Sequence, residues 1–95
     1  MVYCVFMRSI ALRITGSVQG VFFRSAAKQE ADNRGVTGWA RNWEDGSVEI
    51  HAEGEDSDVE GFIAWCRQGP PQARIENVEI EEVPPEDEPD FVVCE

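Results

Sequence analysis

Positive charge is scarce in this 95-residue chain: a single lysine, Lys28, and seven arginines face nineteen acidic residues, for a formal net charge of −11. Such a balance excludes nucleic acid as the main partner, because holding a phosphate backbone needs a basic surface. Cysteine is also sparse. Cys4, Cys66 and Cys94 lack metal-ligand spacing, and their odd number argues against a secreted disulfide framework. Cys66 reads as a core thiol, whereas Cys4 and Cys94, near the two termini, are left as a pair that a bridge could join. The one histidine, His51, falls in a strand pattern and reads as packed or solvated rather than as a ligand. Long apolar runs are missing too. Residues 1–7 are apolar but too short to span a membrane, and they lack the basic flank of a signal sequence. They are expected to form a disordered or strand-extending leader, with Met7 as an alternative start. Residues 1–8 are therefore taken as a leader and 9–95 as one cytoplasmic domain with no membrane partner.

The few cations are unevenly placed. Residues 1–41 hold Arg8, Arg13, Arg24, Lys28, Arg34 and Arg41 against Glu30 and Asp32, a net of +4. Residues 42–95 hold Arg67 and Arg74 against seventeen acids, a net of −15. An anion is therefore expected on the first half of the chain. The near-absence of lysine beside so many acids resembles the surfaces of proteins from high-salt cytoplasm, where screening removes most self-repulsion.

Hydrophobic periodicity predicts the elements. Residues 10–15 alternate as a strand, and residues 23–34 read as a helix closed by Gly35, with Phe23, Ala26, Ala27 and Ala31 inward. Residues 36–42 and 47–53 form two strands joined through Asp45-Gly46, a hairpin signal. Ser57 and Glu60 match a capping box, and Val59, Phe62, Ile63 and Cys66 make one buried stripe of a second helix. Gly69-Pro70-Pro71 stops it. Residues 74–83 read as a fourth strand, residues 84–90 as an acidic proline-rich loop, and residues 91–93 as a closing strand. The order β-α-β-β-α-β predicts a ferredoxin-like α+β sandwich, an antiparallel sheet with two helices on one face. An RNA-binding use of that fold is disfavoured, because residues 47–53 offer acids and no stacking aromatics.

Chemistry concentrates in Gly16-Ser17-Val18-Gln19-Gly20-Val21-Phe22-Phe23-Arg24. A strand-to-helix turn with two glycines and an arginine can aim backbone N–H groups, a helix N-terminus and a guanidinium at one anion. It is neither a Walker A loop nor a dinucleotide fingerprint. A connection whose glycines merely supply positive φ is the alternative reading.

The turn, together with Gly38-Trp39-Ala40-Arg41-Asn42, the Asp45-Gly46-Ser47-Val48 hairpin and Gly69-Pro70-Pro71-Gln72-Ala73, closely resembles the acylphosphatase family over roughly residues 9–94. The resemblance implies hydrolysis of acyl phosphates to a carboxylate and inorganic phosphate, with no metal or cofactor. It makes Arg24 the phosphate-binding arginine and Asn42 the residue that orients water. The phosphate cradle would be the amides of Val18, Gln19, Gly20, Val21 and Phe22. Inorganic phosphate would be product and competitive inhibitor, and the protein a monomer. Arg41 and Lys28 are expected to be solvated, Trp39 to serve packing, and Asp45 to serve the turn. Trp43 departs from the small hydroxyl residue common after the asparagine, and the Cys94-Glu95 ending puts any terminal contact to the site in doubt. Two rivals stand beside hydrolysis. One is a non-catalytic phosphate-binding regulatory module; the other, an accessory domain of carbamoyl-transfer maturation proteins, fits a chain of this length poorly.

Overall fold

A computed structural model describes residues 6–94, in the order β1 (Met7–Ser17), α1 (Phe23–Arg34), β2 (Thr37–Asn42), β3 (Val48–Glu55), α2 (Asp56–Gln68), β4 (Arg74–Glu82) and β5 (Phe91–Val93). The sheet order is β4-β1-β3-β2-β5, so each helical crossover passes over a strand before its chain rejoins the sheet. This is the split βαβ arrangement that the element order predicts. Three pairings are antiparallel, as expected, but β5 lies parallel to β2, so the sheet is mixed. The closing strand runs the other way because the proline-rich segment before it crosses the sheet to the far edge of β2.

Alternation builds the core. Ile10, Leu12 and Ile14 of β1 and Val48, Ile50 and Ala52 of β3 are buried beneath both helices. Phe23, Ala27 and Ala31 face them from α1, with Ala26 only half-buried; Val59, Phe62, Ile63 and Cys66 face them from α2. Burial also pushes the Cys66 thiol well above its ordinary pKa, as befits a packing residue. Two glycines are dictated by close approach. Gly16 (φ +131°) sits at a bulge in β1, where a Cβ would meet the Arg74 carbonyl. Gly38 (φ +139°) presses on the His51 carbonyl across β2 and β3.

β1 starts at Met7, inside the expected leader, because Met7 and Arg8 pair with Glu55 and Gly54 of β3. Arg8 then ion-pairs with Asp56, Glu60 and Glu82, joining β1, α2 and β4. That use of Glu60 corrects the expected capping box. The helix begins two residues earlier than a Ser57 cap requires, Glu55 precedes it in extended conformation, and no side chain caps it. Strand β3 runs directly into α2, the Asp56 N–H donates to the Phe6 carbonyl, and Asp56 and Asp58 complement the helix dipole. Cys4 lies outside the described residues, and Cys94 is a free thiol.

Candidate functional site

Helix α1 begins unlike α2. Its first turn carries no acidic residue and, as in α2, its N-cap, here Phe22, makes no side-chain cap, so its first-turn N–H groups are left for another acceptor without a carboxylate beside them in that turn. Phe22 itself has φ 59° and ψ 27°, the left-handed region that a bulky side chain rarely occupies. Gly20 two residues earlier is also left-handed, at φ +75°. Alternation of this kind folds successive amides into a concavity suited to an anion. Among the described residues, no amide from Val18 to Phe22 donates to a main-chain acceptor outside the regular elements.

Val18, Gly20, Phe22, Phe23, Arg24, Ser25 and Asn42 line a cleft of about 210 Å³ at this point. Among the described residues, the lining contains one cation, one carboxamide and no carboxylate. The structure thus brings Arg24 and Asn42, eighteen positions apart in sequence, to the same hollow. The two remaining cradle candidates do not line it. Val21 packs against the core, and the Gln19 side chain turns away, its Nε2 donating to the carbonyls of Trp43 (2.7 Å) and Ser47 (2.9 Å). Gln19 thereby ties the loop to the hairpin that carries Asn42. The sequence marked it for its amide, while its side chain is what holds the two segments together.

Asn42 ends β2 opposite Val48, exposed at the cleft. The hairpin behind it is well pinned. Trp43 N–H donates to the Ser47 carbonyl, and Asp45 Oδ1 accepts from both the N–H (2.9 Å) and Oγ (2.6 Å) of Ser47. The two Ser47 bonds lower the Asp45 pKa, confirming Asp45 as a turn residue. The Trp43 ring is engaged by Arg41. Arg41 lies between the rings of Trp39 and Trp43, its Cζ 5.0 and 4.5 Å from their centroids, and pairs with Glu49. Arg41 is therefore paired and stacked while its side chain stays 42% exposed, so it is solvated as expected but not free. Lys28 is likewise engaged, with Asp32 (3.1 Å) and the Phe91 carbonyl (2.9 Å).

Arg24 is anchored from behind, where its Nη1 donates to the Cys94 carbonyl. A terminal contact to the site thus exists despite the unusual Cys94-Glu95 ending. It uses backbone, so no side-chain pattern announces it. The segment leading to it is fastened on the sheet face away from the helices. His51 (2% exposed) stacks on Trp39 and bonds Glu53 (2.6 Å), whose carboxylate also accepts the N–H groups of Glu86 and Asp87. Trp39 Nε1 donates to Glu86. Burial works against the Glu53 charge, but the Glu86 N–H, His51 and the Asp87 N–H outweigh it and leave its pKa below the ordinary 4.5. A lowered carboxylate pKa contributes stability above that value and loses it as pH falls through the folded pKa. Glu53→Gln is expected to cost about 1–3 kcal/mol at neutral pH. It should also flatten the acid side of a melting-temperature profile between pH 7 and 3. An unaltered acid limb would remove Glu53 from this role.

A family model described as Acylphosphatase matches residues 10–93. This chain belongs to the acylphosphatase family. It is 47% identical over 77 residues to the acylphosphatase of Rubrobacter xylanophilus, covering 81% of this chain and 70% of that one. The structure of an acylphosphatase from Coxiella burnetii superposes with a TM-score of 0.89 at 40% identity, covering 93% of both chains. The fold also matches part of a larger protein, full-length HypF in its phosphate- and nucleotide-bound form. There the TM-score is 0.86 at 26% identity, covering 98% of this chain and 12% of that one.

Proposed function

We propose that the cleft binds the phosphoryl group of an acyl phosphate and that Arg24 and Asn42 divide the work of hydrolysing it. Membership of the acylphosphatase family supports acyl-phosphate hydrolysis in general. The observation that carries the finer reading is the convergence of Arg24, the uncapped start of α1 and Asn42 on one small cleft, with no carboxylate among the described residues that line it. The guanidinium has donors enough to hold two phosphoryl oxygens while keeping its bond to the Cys94 carbonyl. The amides of Val18 to Phe22 stabilise charge on the equatorial oxygens in a loose transition state. Asn42 accepts a proton-bearing bond from water through its Oδ1 and so aims the oxygen lone pair at phosphorus. The bond from phosphorus to the acyl oxygen breaks as the water oxygen bonds to phosphorus, the electron pair leaves with the carboxylate, and the water's protons stay on the phosphate product, which forms as dihydrogen phosphate. A carboxylate is a good leaving group, so positioning and electrostatics suffice and neither a strong base nor a metal is called for.

On this reading the partners are small molecules, an acyl phosphate and inorganic phosphate, and the protein acts as a cytoplasmic monomer apart from nucleic acid and membranes. Its acidic remainder fits a working environment of high salt. Acetyl phosphate should be hydrolysed in the presence of a metal chelator, with inorganic phosphate inhibiting competitively. Phosphate binding without turnover would make the chain the non-catalytic anion-binding module instead.

A further inference from the structure

Phe22 carries two costs that the fold does not require. Its backbone sits in the left-handed region, where glycine or asparagine would be at ease, and its ring is 77% exposed to water. Yet it lines the cleft beside Arg24 and Asn42. Strain of this kind gathers at ligand clamps. The cleft, at about 210 Å³, lies below the range of pockets that enclose drug-sized ligands, so with a phosphoryl group seated in it a bulky acyl group extends toward its edge, where a small one need not.

We infer that Phe22 is a specificity-determining residue: its exposed ring is the platform on which the acyl group of the substrate lies, favouring uncharged apolar acyl groups over small or anionic ones. The inference rests on the reading of this cleft as an acyl-phosphate site. A planar or branched acyl group covers the ring and gains both burial and stacking, whereas an acetyl group reaches little of it. An anionic acyl group gains no such contact and meets the field of a chain with net charge −11. The platform touches the part of the substrate that does not react, so it acts on ground state and transition state alike and appears in KM more than in kcat.

The test compares benzoyl phosphate with acetyl phosphate for the wild type, Phe22→Asn and Phe22→Leu. Asparagine tolerates the left-handed backbone while removing the ring, and leucine keeps an apolar side chain without a planar face. The wild type is expected to prefer benzoyl phosphate in kcat/KM. In Phe22→Asn that preference should shrink by about tenfold, mainly through KM for benzoyl phosphate. Phe22→Leu should fall between the two, and it carries the test if the asparagine variant fails to show a cooperative melt. Equal losses on both substrates, leaving the ratio intact, would mean that Phe22 only shapes the loop, and the inference would be overturned with the hydrolase reading standing. A wild type that prefers neither substrate would overturn it in the same way. A wild type that hydrolyses neither would overturn both readings together.

Discussion

Arg24→Ala is expected to abolish both phosphate binding and turnover, lowering kcat/KM for acetyl phosphate by about a thousandfold or more, the scale at which a guanidinium counts in phosphoryl transfer. Among the described residues Arg24 is the only cation lining the cleft, in a chain whose overall charge repels the substrate. Nothing nearby substitutes for it. Arg41 is occupied by Glu49 and two indole rings, and Lys28 by Asp32 and the Phe91 carbonyl. Arg24→Lys is the sharper variant. An ammonium keeps the charge but lacks the planar fork, so it must choose between the Cys94 carbonyl and the phosphoryl oxygens that arginine serves together. A loss of about a hundredfold is expected for the lysine form, in the range seen when one oriented donor is removed. Calorimetric titration with inorganic phosphate and a phosphate-release assay measure the two effects separately. Hydrolysis near the wild-type rate by either variant would remove Arg24 from the site.

Asn42→Ala is expected to separate binding from chemistry. The side chain belongs to the cleft lining and carries no charge, so the phosphate dissociation constant should move by no more than about threefold, while kcat falls about a hundredfold or more. The fall follows from the task assigned to it, which is aiming one water molecule along the line of attack. A water that wanders by an ångström loses most of the advantage of being bound. The change should leave the fold intact, since Asn42 is exposed and its strand is held by Gln19, Trp43 and the Asp45–Ser47 turn. If Asn42→Ala instead lost phosphate affinity and turnover in parallel, Asn42 would be a phosphate ligand and the water would need another guide.

Both expectations come from the resemblance of the Gly16–Arg24 and Gly38–Asn42 segments to acylphosphatases, and the local patterns around those segments were legible before any coordinates. The Gly16–Arg24 stretch lies between an alternating strand and a helix, and its glycines at 16 and 20 do adopt positive φ. Gly35 caps α1, with its N–H directed to carbonyls of the preceding turn, as its position after the apolar stripe suggests. Helix α2 buries the same four residues that its 3.6-residue period selects. Where local pattern and tertiary pairing disagreed, pairing won. Ser57-Asp58-Val59-Glu60 has the letters of a capping box, but β3 feeds straight into the helix and Arg8 of β1 takes Glu60. A residue 52 positions upstream leaves no trace in a four-residue window.

The amino-acid order settled which segments are strands and helices, which side of each is apolar, and where an anion would find glycines and an arginine. Those properties depend on near neighbours, and periodicity records them. Other features needed the folded chain: the parallel seating of β5 beside β2, the Cys94 carbonyl behind Arg24, the Gln19 clasp on the hairpin, and the His51–Glu53 pair under residues 86–87. Each depends on backbone groups or on partners far apart in the chain. Every residue carries the same carbonyl and nearly every one the same N–H, so no letter in the sequence marks which of them will be used. The left-handed backbone of Phe22 belongs with these. A phenylalanine is an improbable choice for that conformation, and only the structure reveals that it stands there, exposed, among the residues that line the cleft.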